Sequence, residues 1–228
     1  MTVLTAIRSP KETQVATVAE LPAKKVQSAA VIDDFIWRIS INQYHQMIEA
    51  GVLNDEPVEL LEGLLVKKMS KNPPHRFVTG LIRQIFGQLI PSGWDVDAQE
   101  PITTTDSEPE PDISVVRGDR FDYIHHHPTP EDTALIIEVA DTTLRLDRGR
   151  KKRVYARAGV PIYWIVNLVK FQIEIYSEPD PHATEPDYRQ RRLYRGADRL
   201  LVVLDGTEVG QLMVSDLLPP QLTNKSKG

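Results

Sequence analysis

Apolar residues are gathered most densely between positions 111 and 166, in short runs set apart by polar and basic stretches. The stretch reads PDISVV, a polar loop, ALIIEV, DRGRKKRVYARAG and then VPIYWIV. Residues 134–139 are apolar except for Glu138, which predicts a central strand buried on both faces. Residues 112–116 and 162–166 predict two more strands. Residues 147–158 predict a helix stopped by Gly159 and Pro161. Upstream, Val78, Leu81, Ile82, Ile85 and Leu89 recur at helical spacing and predict an amphipathic helix over 75–89.

Weaker patterns fill in the remainder. Ser40 caps a predicted helix ending near Glu49, with Tyr44, Met47 and Ile48 on its apolar face and Gly51 after it. VELLEGLLVKKM over 58–69 predicts two short strands around a turn at Glu62 and Gly63. Residues 94–99 predict a strand. Residues 117–133 predict a long loop carrying three consecutive histidines. Stretches at 171–176, 188–194 and 200–204 predict an antiparallel extension. A strand, helix, strand order over 134–166 fits a parallel crossover, so the expected fold is α/β: a mixed central sheet flanked by helices, with β extensions. Residues 1–32 lack periodicity and are expected to form a mobile tail. A single domain over 33–218 and a polar tail over 219–228 complete the expected organisation.

Composition narrows the chemistry. The chain has 228 residues, 41% of them hydrophobic, which suits one domain with tails. No cysteine is present, so disulfides and thiolate metal sites are excluded. The first residues are polar and no apolar run is long enough to span a bilayer; a cytoplasmic protein with no membrane span is the expectation. With 32 acidic against 27 basic side chains, a general basic nucleic-acid coat is excluded, although a local patch can still meet phosphate.

Two acids stand out. Asp112 opens one predicted strand and Glu138 closes another. If the strands run antiparallel, the two carboxylates converge. Converging oxygen ligands without cysteine suit magnesium or manganese; ordinary strand-end acids are the alternative. Lys151 shares a helix face with Asp147, Val154, Tyr155 and Ala158, so it points toward the sheet. There it can stabilise a phosphoryl transition state, or simply pair with Asp147. The basic residues between Arg145 and Arg157, Arg148 and Lys152 among them, are weak candidates for phosphate binding; a solvated face is the alternative. Gly149 inside the helix is costly and is expected to admit a close neighbour. Glu59, Glu62 and His75 are possible accessory residues. The histidine run has the wrong spacing for one ion.

Together PEPDISVV, IIEVAD, DRGRKKRVYARAGVPIYWIV and the upstream VELLEG with its following histidine resemble the Uma family of putative restriction endonucleases, in the PD-(D/E)XK nuclease superfamily. The resemblance covers residues 40 to 218. It implies a restriction-endonuclease-like core and magnesium-dependent hydrolysis of DNA phosphodiesters. It makes Asp112 and Glu138 the metal-binding acids and Lys151 the lysine of the site, displaced from the motif position that Ala140 occupies here. Glu59 matches the family's early glutamate and His75 its histidine. Ile162 stands where an acid is common in the family. Three readings remain: a metal-dependent endonuclease, a catalytically silent DNA-binding module on the same fold, or an interaction protein that forms a homodimer.

Overall fold

The computed structural model of the chain describes residues 35–54 and 56–219. The tails expected at 1–32 and 219–228 lie almost wholly outside the described residues. The chain divides after Trp37, and all the helices and strands of the described residues belong to the unit that begins at Arg38.

A six-stranded mixed sheet forms the centre. Its strands are β3 (Trp94–Asp97), β4 (Ile113–Arg117), β5 (Thr133–Ala140), β6 (Ile162–Asn167), β7 (Gln172–Asp180) and β8 (Asp187–Arg195), in that order across the sheet. Only β5 and β6 run parallel; the other neighbours are antiparallel. Parallel neighbours need a crossover, and residues 143–161 supply it. Every residue of β5 is buried, as a strand covered on both faces requires.

Helices cover the sheet on both sides. On one face lies α2 (Pro73–Leu89), begun by the Asn72 cap and by prolines at its first positions. Its Val78, Ile82 and Phe86 pack on Val115, Leu135, Ile137 and Trp164. Phe86 meets Trp164 edge to face at 5.7 Å. The hairpin of β9 (Arg199–Leu204) and β10 (Thr207–Met213) adds Leu200, Val202 and Leu204 to the same core. The sequence reading had one strand here; β10 carries glycine and polar residues that hide its period.

On the other face, a helix in three pieces follows β5: α3 (Leu144–Leu146), a π turn (Asp147–Lys151) and α4 (Lys152–Arg157). Val154, Tyr155 and Ala156 pack on Ile136, Ala140, Tyr163 and Ile165. Side chains alternate along a strand, so Leu135, Ile137 and Val139 feed the α2 core while Ile136 and Ala140 feed the α4 core. Glu138 therefore falls among apolar residues on the α4 side.

Two smaller elements complete the unit. α1 (Ile41–Glu49) starts with a capping box between Ser40 and Gln43. β1 (Val58–Leu61) and β2 (Leu64–Lys67) form a hairpin whose turn residues, Glu62 and Gly63, both have positive φ. A Cβ at Gly63 would meet the Arg38 Cβ at 2.6 Å, so only glycine fits. Among the described residues no helix is long and apolar enough to cross a membrane.

Candidate active site

Strand register brings the two acids together. β4 and β5 are antiparallel with Ile113 opposite Ile137, so one step further along Asp112 lies opposite Glu138. The Val139 N–H donates to Asp112 Oδ2 at 2.9 Å. Both acids line a polar cavity of about 70 Å³, together with Glu59, His75, Asp147 and Lys151.

The π turn carries Lys151 into this cavity. The Lys152 N–H reaches back five residues to the Asp147 carbonyl, and the widened turn keeps Asp147 and Lys151 both buried. The sequence reading expected an unbroken α-helix here. No local sequence signal separates one wide turn from an α turn; packing decides between them. Gly149 lies within the π turn, and a Cβ added to it would meet nothing within 4 Å. The close neighbour expected there is absent among the described residues.

Lys151 Nζ lies 2.9 Å from Glu138 Oε1 and 3.3 Å from Glu59 Oε2. Glu59 is itself held by the Glu110 N–H at 3.0 Å. The Tyr155 hydroxyl donates to Glu138 Oε1 at 2.8 Å. His75 Nε2 lies 3.0 Å from Asp112 Oδ2 and, facing a carboxylate, is the protonated nitrogen. Nδ1 of the same ring lies 3.4 Å from the Thr79 hydroxyl oxygen. Each acid thus receives both of its bonds on one oxygen, Oδ2 of Asp112 and Oε1 of Glu138.

The electrostatics are unbalanced. Four buried carboxylates, Glu59, Asp112, Glu138 and Asp147, surround one lysine. Burial pushes Glu138 well above the usual carboxylate range; Lys151 opposes the rise, while Asp112, Asp147 and Glu59 add to it. Burial also pushes Asp147 up to about 6. Its Oδ2 is buried without a hydrogen-bond partner among the described residues. For Asp112, burial is outweighed by His75, the Val139 N–H and Lys151, and its pKa falls. For Lys151, the desolvation cost is outweighed by Glu138, Glu59 and Asp147, and its pKa rises. The lysine stays protonated at any physiological pH.

The other candidates lie elsewhere. Arg148 is bound by the fully buried Glu174, and Lys152 by Asp187 at 2.7 Å. Neither lines the cavity. Glu62, at the hairpin turn, meets Arg150, Arg153 and Arg157 at 2.7 to 3.3 Å. The basic stripe of the sequence is therefore largely neutralised within the fold. His125, His126 and His127 are exposed and line a separate groove with His45. Among the described residues, no three histidine or carboxylate side chains are placed to hold a metal ion together.

Sequence reasoning missed Tyr155 as a partner of Glu138, although its spacing of four from Lys151 put it on the same face. It also read Asp147 only as a helix-face partner of Lys151. Glu174 gave no signal at all: one acid in an alternating strand looks solvent-facing.

The model of the Uma2 family, described as putative restriction endonuclease, matches residues 41–208. A solved structure, that of a putative nuclease belonging to DUF820 from Anabaena variabilis ATCC 29413, is similar with a TM-score of 0.56 at 14% identity, covering 78% of this chain and 97% of its own. At that identity the likeness speaks for the fold, a nuclease fold. No curated protein matches.

Proposed function

The chain belongs to the Uma2 family of putative restriction endonucleases, and from that premise we propose that it is a metal-dependent endonuclease that hydrolyses DNA phosphodiester bonds through Asp112, Glu138 and Lys151, a PD-(D/E)XK-type site. The observation that carries this reading is the set of oxygens left over. Asp112 and Glu138 line one cavity, and each spends a single oxygen on protein bonds. Asp112 Oδ1 and Glu138 Oε2 are left to face a cation.

The donor set fits a hard divalent ion. The cavity lining carries six carboxylates against four lysines, of which only Lys151 is buried, includes an orphaned carboxylate oxygen on Asp147, and has room for little more than an ion with some water. Two protein carboxylates would serve as direct ligands, which suits magnesium, or manganese, retaining water in its other positions. When bound, such an ion supplies an acidified water and offsets negative charge on the phosphate.

The chain's own residues have separable tasks. His75 and the Val139 N–H orient Asp112 and keep it ionised. Glu59 and Tyr155 hold Lys151 and Glu138 in place. A lysine that stays protonated cannot take a proton from water. Lys151 therefore acts through charge, donating to the attacked phosphate or to the water beside it as the phosphorus–oxygen bond breaks.

The test is conversion of supercoiled plasmid to nicked or linear form, with magnesium or manganese, by the wild type beside Asp112→Asn and Glu138→Gln. Cleavage by the wild type alone is expected. Activity retained in both variants would refute the assignment. Metal and DNA binding without cleavage would leave the catalytically silent DNA-binding module. Binding of neither would leave the homodimeric interaction protein.

A further inference from the structure

The acid cavity is too small for a nucleoside. At about 70 Å³ it accepts an ion and a little water, so the sugars and bases beside a reacting phosphate must lie outside it. Lys71 and Asn72 line the cavity and also line a second, open groove of about 600 Å³ along the outer side of α2. That volume is within the range of sites that enclose small organic ligands.

The groove has a distinct chemistry. Phe77 is 52% exposed beside a fully buried Val78. One turn further on, Gly80 leaves bare backbone: a Cβ there would meet nothing within 4 Å. The half-exposed Phe77 ring and the bare backbone of Gly80 both line the groove. Arg76 and Lys71 are exposed, and neither has an ion-pair partner among the described residues. No carboxylate belongs to the groove's described lining. This contrasts with Arg148, Lys152 and Arg157, all held by acids. The start of α2 cannot bind an anion through its backbone. Pro73 and Pro74 have no N–H, and the His75 and Arg76 N–H groups both bond to Asn72. Any phosphate here must be met by side chains.

We propose that this groove takes an unpaired nucleotide next to the reacting phosphate, with its base stacked on Phe77 and its flanking phosphates met by Lys71 and Arg76. The substrate class is then single-stranded or locally unpaired DNA. The proposal deepens the endonuclease reading and rests on it. An exposed aromatic face beside unneutralised cations is the pairing that binds single strands. In an intact duplex the base faces are covered by their neighbours, and a side-on ring finds nothing to stack on. A second copy of the chain docked symmetrically on this face would bring two Lys71 and Arg76 pairs into one interface with no carboxylate from either groove lining to offset them.

The test is binding of a fluorescein-labelled 12-nucleotide single strand, and of the same sequence as a blunt duplex, in chelator and at several salt concentrations. The wild type is compared with Phe77→Ala, Phe77→Trp and the double variant Lys71→Ala/Arg76→Ala, each first shown to melt like the wild type. Tighter binding of the single strand than of the duplex is expected. Phe77→Ala should weaken the single strand on the order of 5- to 100-fold while Phe77→Trp preserves it. The double variant should flatten the logarithmic salt slope by about 1.4. Equal affinity for duplex and single strand would overturn the proposal, as would unchanged binding by Phe77→Ala. A change from dimer to monomer in Phe77→Ala with unchanged affinity would assign the face to a second copy and also overturn it. If the wild type binds the single strand through Phe77 yet cuts no DNA with magnesium or manganese, the endonuclease reading fails while the groove assignment stands.

Discussion

Asp147 and Lys151, four positions apart, show how burial makes side-chain chemistry. Burial raises Asp147 to about 6 from an ordinary 3.8, so its neutral form is the one the fold prefers. A raised carboxylate pKa contributes stability below the unfolded value, and that contribution is lost as pH rises through the folded value. Asp147→Asn keeps the neutral shape. In chelator, its stability should match the wild type below the unfolded pKa of 3.8 and exceed it increasingly up to about pH 6, then hold a constant advantage on the order of 3 kcal/mol. A thermal-denaturation series across pH checks this; an advantage independent of pH would contradict it. Lys151→Met should act in the opposite sense. It leaves Glu138 and Glu59 buried without their cation, a loss of about 3 kcal/mol by comparison with other broken buried pairs. Because Glu138 is already pushed above the usual carboxylate range, its protonation should shrink that loss as pH falls. Denaturant titration at two pH values measures the difference.

At the scale of elements, the π turn between β5 and α4 holds the site. It is anchored by Arg148 on Glu174, a carboxylate held near a pKa of about 2: its burial is outweighed by hydrogen bonds from Arg148, Tyr176, Arg191 and Asn167. The Tyr163 hydroxyl, at 3.1 Å, donates to the Asp147 carbonyl inside the turn. Gly149 lies within the turn in open space. Gly149→Ala should therefore stabilise the protein by about 0.5–1 kcal/mol, chiefly by restricting the unfolded chain. A rise of a few degrees in melting temperature is the expected reading. A fall would mean that the wide turn itself needs glycine. The β1–β2 hairpin is the second supporting element, since it delivers Glu59 to Lys151 while Glu62 at its turn gathers three arginines.

For the whole molecule, a cation that binds only the folded state should stabilise it by mass action, about 2.7 kcal/mol at a hundredfold excess over its dissociation constant. Adding magnesium or manganese should raise the melting temperature of the wild type and leave Asp112→Asn nearly unmoved; an equal rise in both would place the ion elsewhere. The sequence by itself determined much of the architecture. The run over 134–139, apolar except for Glu138, marked a doubly covered strand, and the period of Val78, Ile82 and Ile85 marked the helix on one face, because a side chain's position in a regular element follows from spacing alone. The same rule placed Lys151 on the buried side of its helix, next in the chain after the strand that carries Glu138. Tertiary structure alone decided how the charges are matched. Which arginine meets Glu174 or Glu62, and which cations near the cavity remain without an acid, depends on distances between elements far apart in the chain. It also decided the π turn and the second strand of the terminal hairpin, because neither carries a local period: each exists where neighbouring elements leave it room and hydrogen-bond partners.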